Sequence, residues 1–94
     1  MAALEDHYKE CKDKLGDPCK EVNDWVDYYA GTVPDHHQWR HTADGIELAR
    51  ALFGVIGGEA AKLHVQRDFD GRIPRNRGDY LKGDKDKWLT SLNL

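Results

Sequence analysis

The chain has few cysteines and few aliphatic hydroxyl side chains, and this scarcity excludes several classes of protein. Cys11 and Cys19 are the only cysteines and form no CxxC pair, so alone they are a weak indication of a metal site. A disulfide between their two neighbouring predicted helices is conceivable, but a reducing compartment favours two buried thiols. The three threonines and one serine form no nucleophile arrangement, and no glycine-rich nucleotide-binding motif occurs.

Long apolar runs and long blocks of like charge are also absent. No run can span a bilayer and no signal-peptide pattern is present, so we expect a cytosolic protein. The net charge of −3 and the pI near 5.9 give no long-range attraction to polyanions, which argues against general nucleic-acid binding and against membrane binding. Ninety-four residues, 39% of them hydrophobic, fit a single domain over 1–94.

Apolar residues recur at helical spacing through the first third of the chain. The pattern predicts a helix over 2–15 that ends at Gly16. A second helix follows, with Asp17 as its N-cap and Pro18 in its first turn. The residues predicted to lie off its apolar face are Asn23, Asp24 and Asp27.

The central segment over 35–54 has the features of a complete helix. Asp35 can cap its N-terminus and Gly54 can end it in a left-handed conformation. Its predicted apolar arc consists of Trp39, Ile46, Leu48, Ala49, Leu52 and Phe53. After a glycine-rich turn over 55–58, a further helix is predicted over 59–70.

The remaining residues predict an ordered loop with a brief helical turn near 79–82, anchored by Ile73 and Tyr80. Trp88, Leu89 and Leu92 are predicted to form a short terminal helical turn. The fold prediction is therefore all-α, a compact four-helix arrangement with an ordered C-terminal loop.

Histidine and aspartate pairs at helical spacing indicate a metal site. His37 and His41 are four residues apart, and so are His64 and Asp68 on the next predicted helix. If these helices pack antiparallel, the two pairs face each other. Imidazole and carboxylate ligands suit one divalent ion such as Zn, Mn, Fe or Ni. His7 and His36 are further candidate ligands.

Two other interpretations of these residues stay open. The histidines and Asp68 can form a hydrogen-bond network without metal, or they can be unrelated surface positions. A carboxylate near the C-terminus of a helix opposes the helix dipole, so Asp68 requires a cation, either a metal ion or a nearby arginine.

The loop after the last long helix contains three arginines, Arg72, Arg75 and Arg77. Their guanidinium groups can bind a phosphate or an acidic partner. The alternative is that they keep the loop soluble and pair with Asp68, Asp70 or Asp79. Tyr28 projects away from the apolar stripe of its helix and is a candidate for a partner surface.

Several motifs together resemble an uncharacterised family of small helical domains from bacteria and phages. They are the run from Arg40 to Gly54 with His41 and the Gly-Ile pair, then LHVQRDFDGRIP over 63–74, then Asp-Tyr-Leu over 79–81. The resemblance implies a small all-helical protein and no particular activity. The polar positions of the family pattern correspond in this chain to His36, His41, His64 and Asp68. Helical spacing instead favours His37 over His36.

This chain departs from the family pattern at two positions. Thr42 stands where a second adjacent histidine is usual, and Asn23 stands where a histidine is expected before Asp24 and Trp25. Both departures remove candidate metal ligands.

Three functions are consistent with these observations. The first is a small cytosolic binding or accessory protein, encoded on a phage or mobile element, that carries a divalent-metal site and acts through a protein partner or small ligand. The second is a metal-dependent hydrolase of phosphoesters, with the arginine loop as phosphate clamp and a homo-oligomer building the pocket. The third is a structural helical bundle without metal.

Overall fold

The computed structural model describes residues 3–28 and 38–92, and most of these residues are helical. The helices are α1 over Leu4–Leu15, α2 over Lys20–Asp27, α3 over Ala43–Asp68 and α4 over Arg77–Lys82, followed by a 3₁₀ turn over Lys85–Lys87. Residues 38–40 are also helical. Within the described residues the only β pairing is one isolated antiparallel bridge. The all-α prediction is confirmed.

Helix α1 follows its prediction closely. Gly16 adopts a left-handed conformation with φ of 82° and donates its N–H to the carbonyl of Lys12, which ends the helix. The buried face presents His7 and Cys11, one turn apart. A histidine is therefore fully buried on the first helix.

Helix α2 begins later than predicted. The Asp17 carboxylate accepts a hydrogen bond of 2.7 Å from the N–H of Cys19, so it closes a local turn before the helix instead of capping it. Cys19 is the N-cap residue, with a left-handed φ of 49°. Asn23 was predicted to lie off the apolar face and is wholly buried beside Val22 and Val26, so that prediction is wrong.

The predicted central helix is broken at His41 and Thr42, where the chain makes a turn. The Thr42 hydroxyl donates to the carbonyl of Trp39 at 2.6 Å and accepts from the N–H of Gly45 at 3.2 Å, so Thr42 is the N-cap of α3. The predicted cap, Asp35, lies outside the described residues. Because His41 precedes α3, the cap holds its position relative to that helix.

Gly54 leaves helical geometry as predicted, but residues 55–58 are helical and not a turn. Its φ of 84° and ψ of −174° divide α3 into the segments 43–53 and 55–68. A straight helix would separate His41 from His64 by about 34 Å, yet their ring centroids lie 5.2 Å apart. The chain therefore folds back at Gly54, which brings the two ends of α3 together.

The buried core lies where α1, α2 and both segments of α3 meet. It is formed by Cys11, Val22, Val26, Ile46, Ala49, Ala60, Ala61, Val65 and Ile73. Leu52, which was predicted in the apolar arc, is 58% exposed because it lies beside the reversal at Gly54. Within the described residues no helix combines the length and the apolar character that a membrane span requires.

The C-terminal residues close over the end of α3. Ile73 and Leu89 exchange backbone hydrogen bonds of 2.8 and 2.9 Å, and Trp88 is buried against Phe69. The predicted terminal helical turn from Trp88 onward is wrong, because the backbone of Leu89 is extended and pairs with Ile73. The brief helical turn near 79–82 is confirmed by α4.

Candidate metal centre

Four separate segments bring three imidazoles and two carboxylates together in the interior. His7 comes from α1, Asp27 is the last residue of α2, His41 precedes α3, and His64 and Asp68 lie at the end of α3. All of these side chains are at most 1% exposed except Asp27, which is 17% exposed. The cluster therefore reaches the surface at Asp27.

Four of these side chains form a closed ring in which imidazoles and carboxylates alternate. His41 Nε2 lies 3.2 Å from Asp27 Oδ1 and 3.2 Å from Asp68 Oδ2. His64 Nε2 lies 3.0 Å from Asp27 Oδ1 and 3.4 Å from Asp68 Oδ2. One donor atom from each side chain lies within 4.8 Å of all the others, which is an arrangement that can hold a metal ion.

The size of this ring matches a transition-metal coordination sphere. For donor atoms about 3.2 Å apart, a central point lies roughly 2.0 Å away in a tetrahedral arrangement and roughly 2.3 Å away in a square one, close to the 2.0–2.2 Å of zinc bonds to nitrogen and oxygen. A bound ion therefore needs only small side-chain movements.

Both carboxylates lie at the C-terminal ends of helices. Asp27 ends α2 and Asp68 ends α3, so the negative ends of two helix dipoles add to the charges of one partly buried and one buried carboxylate. Burial acts to raise the pKa of Asp27, but the adjacent imidazoles of His41 and His64 outweigh it and hold that pKa below its usual range. The site strongly favours positive charge between the two carboxylates.

The Asn23 side chain determines which nitrogen of His64 carries the proton. Its Nδ2 group donates to the carbonyls of Pro18 at 3.1 Å and Cys19 at 3.0 Å, which fixes the orientation of the amide. The Oδ1 atom then faces His64 Nδ1 at 2.8 Å and can only accept. His64 therefore donates through Nδ1, and in the neutral ring Nε2 carries a lone pair.

That lone pair points toward two carboxylate oxygens, with Asp27 Oδ1 at 3.0 Å and Asp68 Oδ2 at 3.4 Å. A lone pair facing two anionic oxygens is repulsive unless a cation lies between them or the ring gains a second proton. Imidazole ligands of metal ions commonly donate their other N–H to a fixed acceptor in this way.

His7 lies against the opposite side of Asp68. Its ring stacks on His64 with centroids 3.5 Å apart and an angle of 8° between the planes. Nε2 lies 3.2 Å from Asp68 Oδ1, within ion-pair distance, but the two atoms form no hydrogen bond. Within the described part of the chain, neither ring nitrogen of this buried histidine has a hydrogen-bond partner.

Comparison of the chain with protein-family models, with curated proteins and with solved structures gives no match.

The structure brings together all four of the described residues that were predicted as metal ligands. His41, His64 and Asp68 lie in the ring, and His7 lies beside it. His37 and His36 lie outside the described residues. Asp27 was missed because it was placed off the apolar face of α2. A usable signal was its i, i+4 spacing from Asn23, which repeats the spacing of His64 and Asp68.

Two of the three arginines predicted to bind a ligand or phosphate form side-chain hydrogen bonds within the protein. Arg75 donates from Nε and Nη2 to the Asp79 carboxylate at 2.7 and 3.2 Å, the pairing given as the alternative from sequence. Arg77 donates to the side-chain carbonyl of Gln38 at 3.3 Å, and Arg72 is half-buried. Tyr28, the predicted partner-surface residue, is 59% exposed.

Replacing Asn23 with alanine should weaken the affinity for a divalent ion about 10- to 100-fold, because partners behind a ligating imidazole typically contribute that much. The His64 tautomer, read from the ¹⁵N chemical shifts of the ring, should change from Nδ1–H to a mixture. Cys11→Ala is the matched control, since Cys11 contacts the same amide at 3.5 Å but not His64 Nδ1. An unchanged ion affinity in Asn23→Ala would contradict this role.

Proposed function

We propose that this protein binds one divalent transition-metal ion between Asp27, His41, His64 and Asp68, and that it acts as a small binding or accessory protein through this centre. Two nitrogen and two oxygen donors suit Zn, Mn, Fe or Ni better than softer or purely oxygen-binding ions. The observation that carries the proposal is the closed ring of four donor atoms. Two of them are imidazole nitrogens, and two are oxygens of carboxylates at helix C-termini.

The surroundings of the ring support a binding function. Ions such as Mn and Fe take more than four ligands, so four protein donors leave positions for an external ligand. The side of the centre that reaches the surface is at Asp27, and the next residue is the exposed Tyr28. Exposed aromatic residues are enriched where partners bind. A small anionic ligand or a partner residue can approach from this side. The cytosolic location expected from the sequence is part of the same proposal.

A metal-dependent phosphoester hydrolase is the second candidate, favoured by the same open coordination positions. A divalent ion lowers the pKa of bound water and polarises a phosphoryl oxygen. The arginine loop supports this function less well, because the guanidinium of Arg75 is paired with Asp79. A phosphate clamp would have to come from other groups.

Metal content of untagged protein tests the first proposal. After equilibrium dialysis against Zn²⁺ or Mn²⁺ and removal of free ion, we expect close to one equivalent per chain by elemental analysis. His64→Ala, which removes one ring donor, should bind less than a tenth of an equivalent under the same conditions. Less than a tenth of an equivalent in the wild type would reject the metal centre and leave the structural helical bundle.

Turnover separates the two candidates. Bis(p-nitrophenyl) phosphate and p-nitrophenyl phosphate should be assayed with the metal-loaded protein and after chelation. Release of nitrophenol that depends on metal and is lost in Asp68→Asn would favour the hydrolase. One equivalent of bound metal with no turnover supports the binding function.

A further inference from the structure

We propose a second divalent-cation position beside the first, held by His7 Nε2 and Asp68 Oδ1, with Asp68 as the bridging carboxylate. This inference rests on the proposed metal centre. The first position uses Asp68 Oδ2, which faces His41 and His64, whereas His7 lies 3.2 Å from the other oxygen. The carboxylate therefore presents a different oxygen to each position.

No hydrogen bond with another described residue explains why the His7 side chain is buried. Its side chain is 0% exposed, and neither ring nitrogen has a hydrogen-bond partner among residues 3–28 and 38–92. A buried polar group without a hydrogen-bond partner costs on the order of 1–3 kcal/mol, so a ligand at this nitrogen would remove that cost. Binding of a cation to Nε2 supplies the missing partner and uses the Asp68 oxygen already beside it.

The stacking of His7 on His64 sets the spacing of the two positions. The rings are nearly parallel and 3.5 Å apart, and each places its Nε2 beside a different oxygen of Asp68. Ions in two-metal sites lie about 3.5–4 Å apart. Two stacked imidazoles that each bind one ion give a separation in this range.

Charge determines when the second position fills. One divalent ion balances the charges of Asp27 and Asp68, so a second ion leaves excess positive charge in a buried site. An anion that bridges the two ions offsets this excess. The proposed ligand class is therefore a small oxyanion, for which inorganic phosphate is the probe, and the second ion should bind together with it.

Titration with Mn²⁺ in the absence and presence of inorganic phosphate tests this proposal. We expect one equivalent without phosphate and two with it, by equilibrium dialysis. The six-line electron paramagnetic resonance signal of bound Mn²⁺ should weaken as the second ion binds, because two ions this close couple magnetically. His7→Gln should keep the first equivalent and lose the second, and retention of the first shows that this variant is folded.

The outcomes distinguish this inference from the proposed function. One equivalent in the wild type, with or without phosphate, overturns the second position and leaves the first intact. Two equivalents that persist in His7→Gln also overturn it. No bound ion in the wild type overturns the metal centre itself. If His7→Gln does not fold, the stoichiometry and the magnetic coupling of the wild-type protein still show whether a second ion binds.

Discussion

Replacing Asp27 with asparagine is expected to lower the affinity for a divalent ion by more than a hundredfold. Asp27 Oδ1 contacts both imidazoles of the ring of donors, at 3.2 Å from His41 Nε2 and 3.0 Å from His64 Nε2. Loss of a partner behind a ligand already costs 10- to 100-fold in affinity, and loss of a ligand itself should cost more. In free energy a hundredfold is about 2.8 kcal/mol. Competition with a chelating dye measures this change.

Asp24→Asn is the matched control, because Asp24 lies on the same helix and bonds to Tyr8 on the exposed side. Its affinity for the ion should equal that of the wild type. The melting temperatures give an independent check: chelation should lower that of the wild type and of Asp24→Asn but leave that of Asp27→Asn unchanged. Equal affinities for all three proteins would show that Asp27 is not a ligand.

Replacing Gly45 with alanine is expected to reduce the free energy of unfolding by about 2–3 kcal/mol, at the upper end of overpacking effects. A Cβ at this position would lie 2.5 Å from Arg40 Cα and 2.6 Å from the carbonyl oxygens of Arg40 and Trp39. All three contacts are with backbone, so the segment before His41 must move. Ion affinity should therefore fall as well, although Gly45 touches no donor atom. Urea denaturation and the dye competition measure the two effects.

Gly78→Ala gives the comparison for this variant. A Cβ there meets only the Asn76 side chain at 3.2 Å. Gly78 lies in α4, which contributes no donor residue to the metal centre. Alanine in a helix is favoured over glycine by up to about 1 kcal/mol, so this variant should be as stable as the wild type or slightly more stable. A Gly45→Ala protein with wild-type stability would mean that the backbone contact at Gly45 is readily relieved.

Helical periodicity was sufficient to predict most of the helical segments and part of the centre, but not the break before α3 or the extended backbone at Leu89. The i, i+4 spacing of His64 and Asp68, with Asp68 at a helix C-terminus, indicated a pair that needs a cation. The chain reversal at Gly54 follows from a glycine with positive φ. These features depend on residues that are close together in the chain, so they can be predicted from a single sequence.

Other features depend on contacts between distant segments. Asn23 is polar, so a pattern that assigns polar residues to the surface misplaces it, although its amide is satisfied by Pro18, Cys19 and His64. Asp27 is missed for the same reason. The close approach of the backbone at Gly45 and the pairing of Ile73 with Leu89 also arise only after the chain has folded.

The wide spacing of the donor residues along the chain has a consequence for the order of assembly. His7 and Asp68 are 61 positions apart, and Asp27 and His41 come from two further segments. Contacts between distant segments require loop closure and form late relative to local helices. High-affinity capture of an ion should therefore begin only when the whole architecture is in place, so metal uptake can serve as a reporter of the last step in maturation.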